Sequence, residues 1–131
     1  MKFSELFLDW ENRVEFREGE VIYTQGDPAK VMYFILKGQV GLRLHDEVLG
    51  KEKAGGIIGE MAIVNATKRN ATATAESDVI LALVNRQELK ELIDGNAEFS
   101  LHVMAVLANR LRAVDKFISS QFKQQKQVGG L

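Results

Sequence analysis

The stretch Val31-Met32-Tyr33-Phe34-Ile35-Leu36-Lys37-Gly38-Gln39-Val40-Gly41-Leu42-Arg43-Leu44 decides the fold. Its first half, Val31 to Leu36, is nearly all apolar and made of residues that favour extended backbone. In its second half Val40, Leu42 and Leu44 alternate with Gly41 and Arg43, the two-residue period of a strand with one buried face. Lys37-Gly38 between the halves reads as a tight turn, so the stretch predicts a hairpin. Upstream, Val14-Glu15-Phe16 runs into the turn signal Arg17-Glu18-Gly19-Glu20, and Val21-Ile22-Tyr23 resumes before Gln25-Gly26-Asp27-Pro28 breaks the chain again. Downstream, Asp46-Glu47 turns the chain ahead of Val48-Leu49, and a last pair of strands fits Asn70 to Ala75 and Val79 to Val84. Nine of the eleven glycines fall at or before Gly95, between these short runs. The first ninety residues therefore read as a small barrel or sandwich.

Beyond Asn85, a candidate N-cap, the spacing becomes helical: Leu89, Leu92 and Ile93 recur at three and four residues until Gly95. From Ala97 to about Gln125 there is no Gly or Pro. Leu101, Met104, Leu107 or Ala108, Leu111, Val114, Ile118 and Phe122 form one apolar stripe, and Val103, Val106, Ala113 and Phe117 a second. A helix apolar on two sides needs two partners. One is its own barrel; the other is either the same core or the same helix of a second chain, which makes a homodimer a working hypothesis.

At 131 residues with 46% hydrophobic and 27% charged side chains, the chain fits a single domain, 1–131, with the small barrel or sandwich over about 12–85 and helices over about 86–94 and 97–125. A formal net charge of -1 provides no broad field for polyanions. The absence of cysteine removes disulfides, thiolate metal sites and a cysteine nucleophile, a usage that suits the cytosol. The opening MKFSELFLDWENR mixes acidic with apolar residues, unlike a signal peptide, and no window approaches a membrane span, so a soluble cytoplasmic protein without membrane contact is expected. The closing Gly129-Gly130-Leu131 reads as a frayed end.

The chemistry concentrates in Gly55 to Ala75, GGIIGEMAIVNATKRNATATA. Gly59 lets the backbone approach a ligand, and a one-turn helix over Glu60 to Val64 would aim the free amides of Glu60, Met61 and Ala62 at an anion. Arg69 follows with a fixed fork of donors suited to two phosphate oxygens. A carboxylate beside a phosphate repels it unless turned elsewhere, and a ribose hydroxyl would give Glu60 such a partner, with Arg69 between the two negative groups. An ordinary Glu60–Arg69 ion pair on a loop explains the same residues without a ligand.

These residues resemble the phosphate-binding cassette of the cyclic-nucleotide-binding domains found in catabolite-activator-type regulators, cyclic-nucleotide-dependent kinases and gated channels. The matching elements are Gly59-Glu60-Met61-Ala62, the loop Ile63 to Lys68, and Arg69-Asn70-Ala71-Thr72. Glu18-Gly19-Glu20-Val21-Ile22, Gly26-Asp27, Met32 to Gly38 and the helix around Leu107 to Leu111 extend the resemblance over roughly residues 10 to 118. It implies a mainly β fold with α, a double-stranded β-helix (jelly-roll-like β-barrel) with flanking helices and a long C-terminal helix. It further implies cAMP or cGMP as ligand, cAMP the more expected, with no other cofactor. Gly59 and the amides of Glu60 and Met61 would approach that ligand, Glu60 would bind the ribose 2′-hydroxyl, Arg69 the cyclic phosphate, and Ala71 would offer another amide. Asn70 stands where the family often has Ala, Ser or Thr. The purine would meet the long helix near Arg110, Val114 and Asp115. The family's activators continue into a helix-turn-helix, and this chain stops about where it would begin, so direct DNA binding is not expected and the signal would leave through dimerisation, an unknown protein effector or a further segment.

His45 and His102 are the only histidines, and His45-Asp46-Glu47 lacks metal-ligand spacing, so no metal is predicted. There is no nucleophile elbow, His–acid pair or Gly-Lys-Ser/Thr phosphate loop, so no catalytic residue is assigned and an enzyme is not expected. Arg110, Arg112, Lys116, Lys123 and Lys126 read as a solvated basic face.

Overall fold

The computed structural model describes residues 3–65 and 67–129, with side chains except at 65, 117 and 121–129. The stripe members Phe117 and Phe122, the cations Lys123 and Lys126 and the closing Gly130-Leu131 fall outside the residues or side chains described. A short 3-10 helix, Ser4–Phe7, leads into β1 (Arg13–Phe16), β2 (Val21–Tyr23), β3 (Val31–Lys37), β4 (Gln39–Leu44), β5 (Glu47–Lys53) and β6 (Ile57–Ile58). Helix α1 (Glu60–Asn65), β7 (Thr72–Ala75), β8 (Val79–Asn85), α2 (Arg86–Gly95) and α3 (Ala97–Gly129) follow. Two antiparallel four-stranded sheets face each other, one in the order β1-β8-β3-β6 and the other β2-β7-β4-β5.

The strands pair in nested fashion: β4 with β5, β3 with β6, β2 with β7 and β1 with β8. The chain is thus one long two-stranded ribbon wound on itself, the double-stranded β-helix that the resemblance implied. Its tip is the turn His45-Asp46, where His45 takes a positive φ of 56°. This corrects the hairpin expected at Lys37-Gly38. β3 and β4 lie in different sheets, and Gly38 is the corner where the ribbon passes from one to the other. β7 and β8, expected as neighbouring strands, also divide between the two sheets.

The core explains the misreading. Along β3, Met32 and Phe34 join Phe7, Phe99, Val103 and Val106 in a cluster between the first sheet and the helices. Ile35 points the other way, into the barrel interior with Tyr23, Val40, Leu42 and Leu81. A strand buried on both faces carries an unbroken apolar run and loses the alternation that marks a strand's partner and face. β4 keeps its alternation because only Val40 and Leu42 face the interior.

Asn85 caps α2 as expected, in a full capping box with Glu88. Gly95 is the last residue of α2, but it is Asn96, in extended conformation, that turns the chain; its side chain then accepts from the Phe99 amide and starts α3. Helix α3 runs 33 residues, a turn beyond the expected end. Val103 and Val106 of its second stripe are buried, whereas Leu101, Met104, Leu111 and Ile118 of the first are 57–68% exposed. Among the described residues no helix is long and apolar enough to cross a membrane.

Gly38 adopts φ of 94°, and a Cβ there would collide with the Asp78 carbonyl oxygen and with Val79 Cγ1. Gly38→Ala therefore combines left-handed strain with overpacking at the sheet-to-sheet corner and should cost roughly 2–4 kcal/mol, read from urea unfolding midpoints at unchanged m-value.

Candidate functional site

The cassette occupies the corner where the ribbon leaves β6 and returns as β7. Gly59 takes φ of 76°, which turns the chain directly from Ile58 into α1. A Cβ at this position would strike Nη1 of Arg69, so the glycine is required both for backbone shape and for room. Ala62 and Ile63 anchor α1 in the core at 2% and 4% exposure. The Thr67 amide donates to the Ala62 carbonyl at 2.9 Å and ends the helix. Met61 remains half-buried above the cleft.

Glu60 and Arg69 are the only charged side chains buried among the described residues, at 1% and 5% exposure. Burying a charge costs several kcal/mol unless it is paired, so each needs compensation. Arg69 Nη1 donates to the Gly59 carbonyl at 3.2 Å and Nη2 to the Val31 carbonyl at 2.6 Å. Its guanidinium also stacks 4.3 Å from the centroid of the Tyr23 ring, with Tyr33 at 5.6 Å. Glu60 takes its partner elsewhere: Oε1 lies 3.2 Å from Nε of Arg110 on α3, outside hydrogen-bond geometry. The loop ion pair between Glu60 and Arg69 is therefore not formed. Arg110 in turn donates to Glu52 Oε1 at 2.8 Å and to the Ile57 carbonyl at 2.6 Å. It is an internal tether rather than part of a solvated face, whereas Arg112 and Lys116 are exposed as expected.

Burial raises the Glu60 carboxyl above its ordinary value of 4.5, and the Arg110 guanidinium only partly offsets this. Burial, aided by the Glu60 charge, also pushes the Tyr23 hydroxyl well above its ordinary value of 10, so it stays protonated at neutral pH.

Gly59, Glu60, Met61, Asn70, Ala71 and Arg110 converge on one cleft, with Tyr23, Leu42, Leu49 and Val114 completing its walls. The Asn70 carboxamide reaches across to Met61, its Nδ2 3.1 Å from the sulfur. Asp115 is not brought in: it is exposed one position beyond Val114, and neighbouring helix residues diverge by about 100°. Ala62 faces the core rather than the cleft. Tyr23, Leu42, Leu49 and Glu52 were not singled out from the sequence; they come from β2, β4 and β5, which no local signal places beside α1. The cleft is narrow, about 20 Å³, little more than one water needs. Larger open grooves lie around Glu15, Arg17, Lys37 and Asp78 (about 380 Å³) and between Glu47 and Lys116 (about 490 Å³). Neither gathers a buried charge, so their size reflects surface relief. His102 stacks on Phe3 at 4.8 Å with Nε2 3.0 Å from the Gly55 carbonyl oxygen, and among the described residues no group of three His, Asp or Glu converges as a metal site would require.

Residues 13–96 match the family described as cyclic nucleotide-binding domain. The cyclic AMP receptor protein of Thermus thermophilus is 30% identical over 116 residues, covering 85% of this chain and 54% of that protein. The crystal structure of the Thermus thermophilus catabolite activator protein superposes with a TM-score of 0.74 at 28% identity, over 92% of this chain and 59% of that one. The EAL enzyme Bd1971, in cGMP-bound and cAMP-bound forms, gives 0.61 at 29% and 30% identity, over 91% of this chain and 33% of that one. The chain spans about half the length of the regulators it matches and a third of the enzyme. The family match spans the wound ribbon and the Gly59–Arg69 corner with its two buried charges, so the chain belongs to the cyclic nucleotide-binding domain family.

Proposed function

We propose that this chain is a sensory module, not an enzyme, that binds a cyclic purine nucleotide in the cleft between α1 and α3, cAMP in preference to cGMP. The observation that carries the reading is the burial of Glu60 and Arg69 side by side. A carboxylate and a guanidinium held out of water at one corner match the hydroxyl and the phosphate of a ribose cyclic phosphate. In this reading Gly59 and the amides of Glu60, Met61 and Ala71 line the phosphate, Arg69 neutralises it, and Glu60 accepts from the 2′-hydroxyl. The cAMP preference follows the name of the Thermus thermophilus relative. Asn70 and Val114 border the purine end.

The cleft has to widen before a nucleotide fits, and Arg110 stands in the way. It ties α3 to β5, β6 and Glu60, and a ribose hydroxyl on Glu60 competes with that tie. Ligand and α3 position are then linked, and the ligand shifts the helix only by its difference in affinity for the two positions. The exposed stripe Leu101, Met104, Leu111 and Ile118, spaced by three and seven residues, gives the moving helix a seam for a second copy of the chain. A second reading, an interaction module of the same fold without ligand, draws support from the narrow cleft and from Arg110 already meeting Glu60.

Titration calorimetry with cAMP and cGMP separates the two readings: heat and thermal stabilisation by cAMP are expected, and neither at millimolar nucleotide would leave only the interaction module. Arg69→Ala should weaken cAMP binding about tenfold or more, since a charge-assisted hydrogen bond is worth about 1.5–3 kcal/mol. Because the folded state raises the Glu60 carboxyl, its protonated form contributes stability that is fully present below about 4.5 and is lost as pH rises through the higher folded value. Glu60→Gln should flatten that decline in urea titrations from pH 4 to 8 without loss of stability at pH 7, while weakening cAMP binding. Leu111→Lys should leave folding intact and convert a dimer to a monomer in light scattering at several concentrations; a wild-type monomer throughout would remove the seam.

A further inference from the structure

We infer that Arg86 is a positioning residue for the anion-binding turn, acting from behind the cleft on the far end of α1. Its Nη1 donates to the Ile63 carbonyl at 2.9 Å and to the Val64 carbonyl at 3.1 Å. These are among the last carbonyls of α1, which have no partner within the helix, and a cation there also meets the negative end of the helix dipole.

The clamp matters because α1 has only six residues, far below the length at which a helix holds itself in water. Its supports are few. Ala62 and Ile63 are buried, but Val64 is 39% exposed, and one backbone bond, Thr67 to Ala62, follows. At 1.5 Å per residue, the clamped Ile63 and Val64 lie only about 5 Å along one short rod from Glu60 and Met61, so tilting the clamped end moves their amides. Arg86 is itself well fixed. It is the first residue of α2, directly after Asn85, whose side chain accepts from the Glu88 amide at 2.8 Å while the Asn85 amide donates to Glu88 at 3.0 Å. Asn85 is also in register with Val31 of β3, whose carbonyl receives Arg69. Clamp and anion-binding arginine are therefore referenced to the same strand position. Neither α2 nor β8 needs the Arg86 side chain for its own hydrogen bonds, so its effect falls on α1.

The inference about α1 stands without a ligand, and only its binding arm rests on the proposed nucleotide site. Hydrogen–deuterium exchange on the ligand-free full chain tests the first. Arg86→Ala should speed exchange of the amides of residues 63–65, those that can donate within the helix, about tenfold or more with β3 and β8 unchanged, and Arg86→Lys, which keeps a charged donor, should restore most of the protection. On the same proteins, cAMP affinity by calorimetry should fall roughly tenfold for Arg86→Ala and recover for Arg86→Lys. Unchanged exchange in α1, or a rise spread evenly over the sheets, would overturn the positioning role, as would an Arg86→Ala chain that binds cAMP as tightly as wild type. If the wild-type chain takes up no cAMP, the nucleotide reading fails while the exchange result still decides the role of Arg86.

Discussion

Arg69 can lie 5% exposed at the barrel corner only because every group around it offers negative charge density: the carbonyls of Gly59 and Val31 and the face of Tyr23. Those three contacts belong to three different elements. Tyr23 closes β2, Val31 opens β3, and Gly59 precedes α1, so one guanidinium fixes how two strands and the cassette helix meet. The surrounding backbone shares the task, since the Gly26 amide donates to the Arg69 carbonyl and the Arg69 amide to the Asp27 carbonyl. No carboxylate bonds Arg69 directly; its charge meets that of the equally buried Glu60 only through space. A buried charge so held is costly for stability alone.

Glu60 carries the opposite liability a few ångströms along. Burial raises its carboxyl above the ordinary value, and Arg110, reaching in from α3, partly offsets that rise. Because Arg110 also grips Glu52 and the Ile57 carbonyl, the long helix is fastened to the barrel by polar contacts at this point, while Val103 and Val106 fasten it by packing nearer its start. The two attachments differ in kind. Packing at Val103 persists through small shifts, whereas a charged contact at Arg110 can be exchanged for another partner of equal chemistry.

How much of this could be read from residues alone depended on how local the cause was. The corner of Gly59, Glu60 and Arg69 was legible because the three lie within eleven residues and glycine's backbone freedom marks the turn between them. The Asn85 cap was legible for the same reason. The hairpin at Lys37-Gly38 was misread because β3 is buried on both faces and its run of apolar residues does not reveal which sheet receives it. β6 escaped notice because two residues between glycines carry no period. Glu52 and Tyr23 could not be placed at the site, since only the winding of the ribbon brings β5 and β2 to α1. Asp115 failed by helical phase: counting along a sequence puts it beside Val114, but the helix turns it away to solvent.

The nested pairing of strands has one more consequence, for how such a unit can be carried by larger proteins. Because β1 lies against β8, the ribbon begins and finishes at neighbouring positions of one sheet, and the leading 3-10 helix and α2 leave from the same side. The roll is a closed loop with a single neck. Whatever precedes or follows it joins at that neck, on the side where α3 lies, so a displacement of α3 is delivered where a neighbouring domain would be attached. A unit with that layout can be spliced into unrelated chains without disturbing its winding, and the same fold accordingly recurs as a fraction of a regulator in one relative and of an EAL enzyme in another.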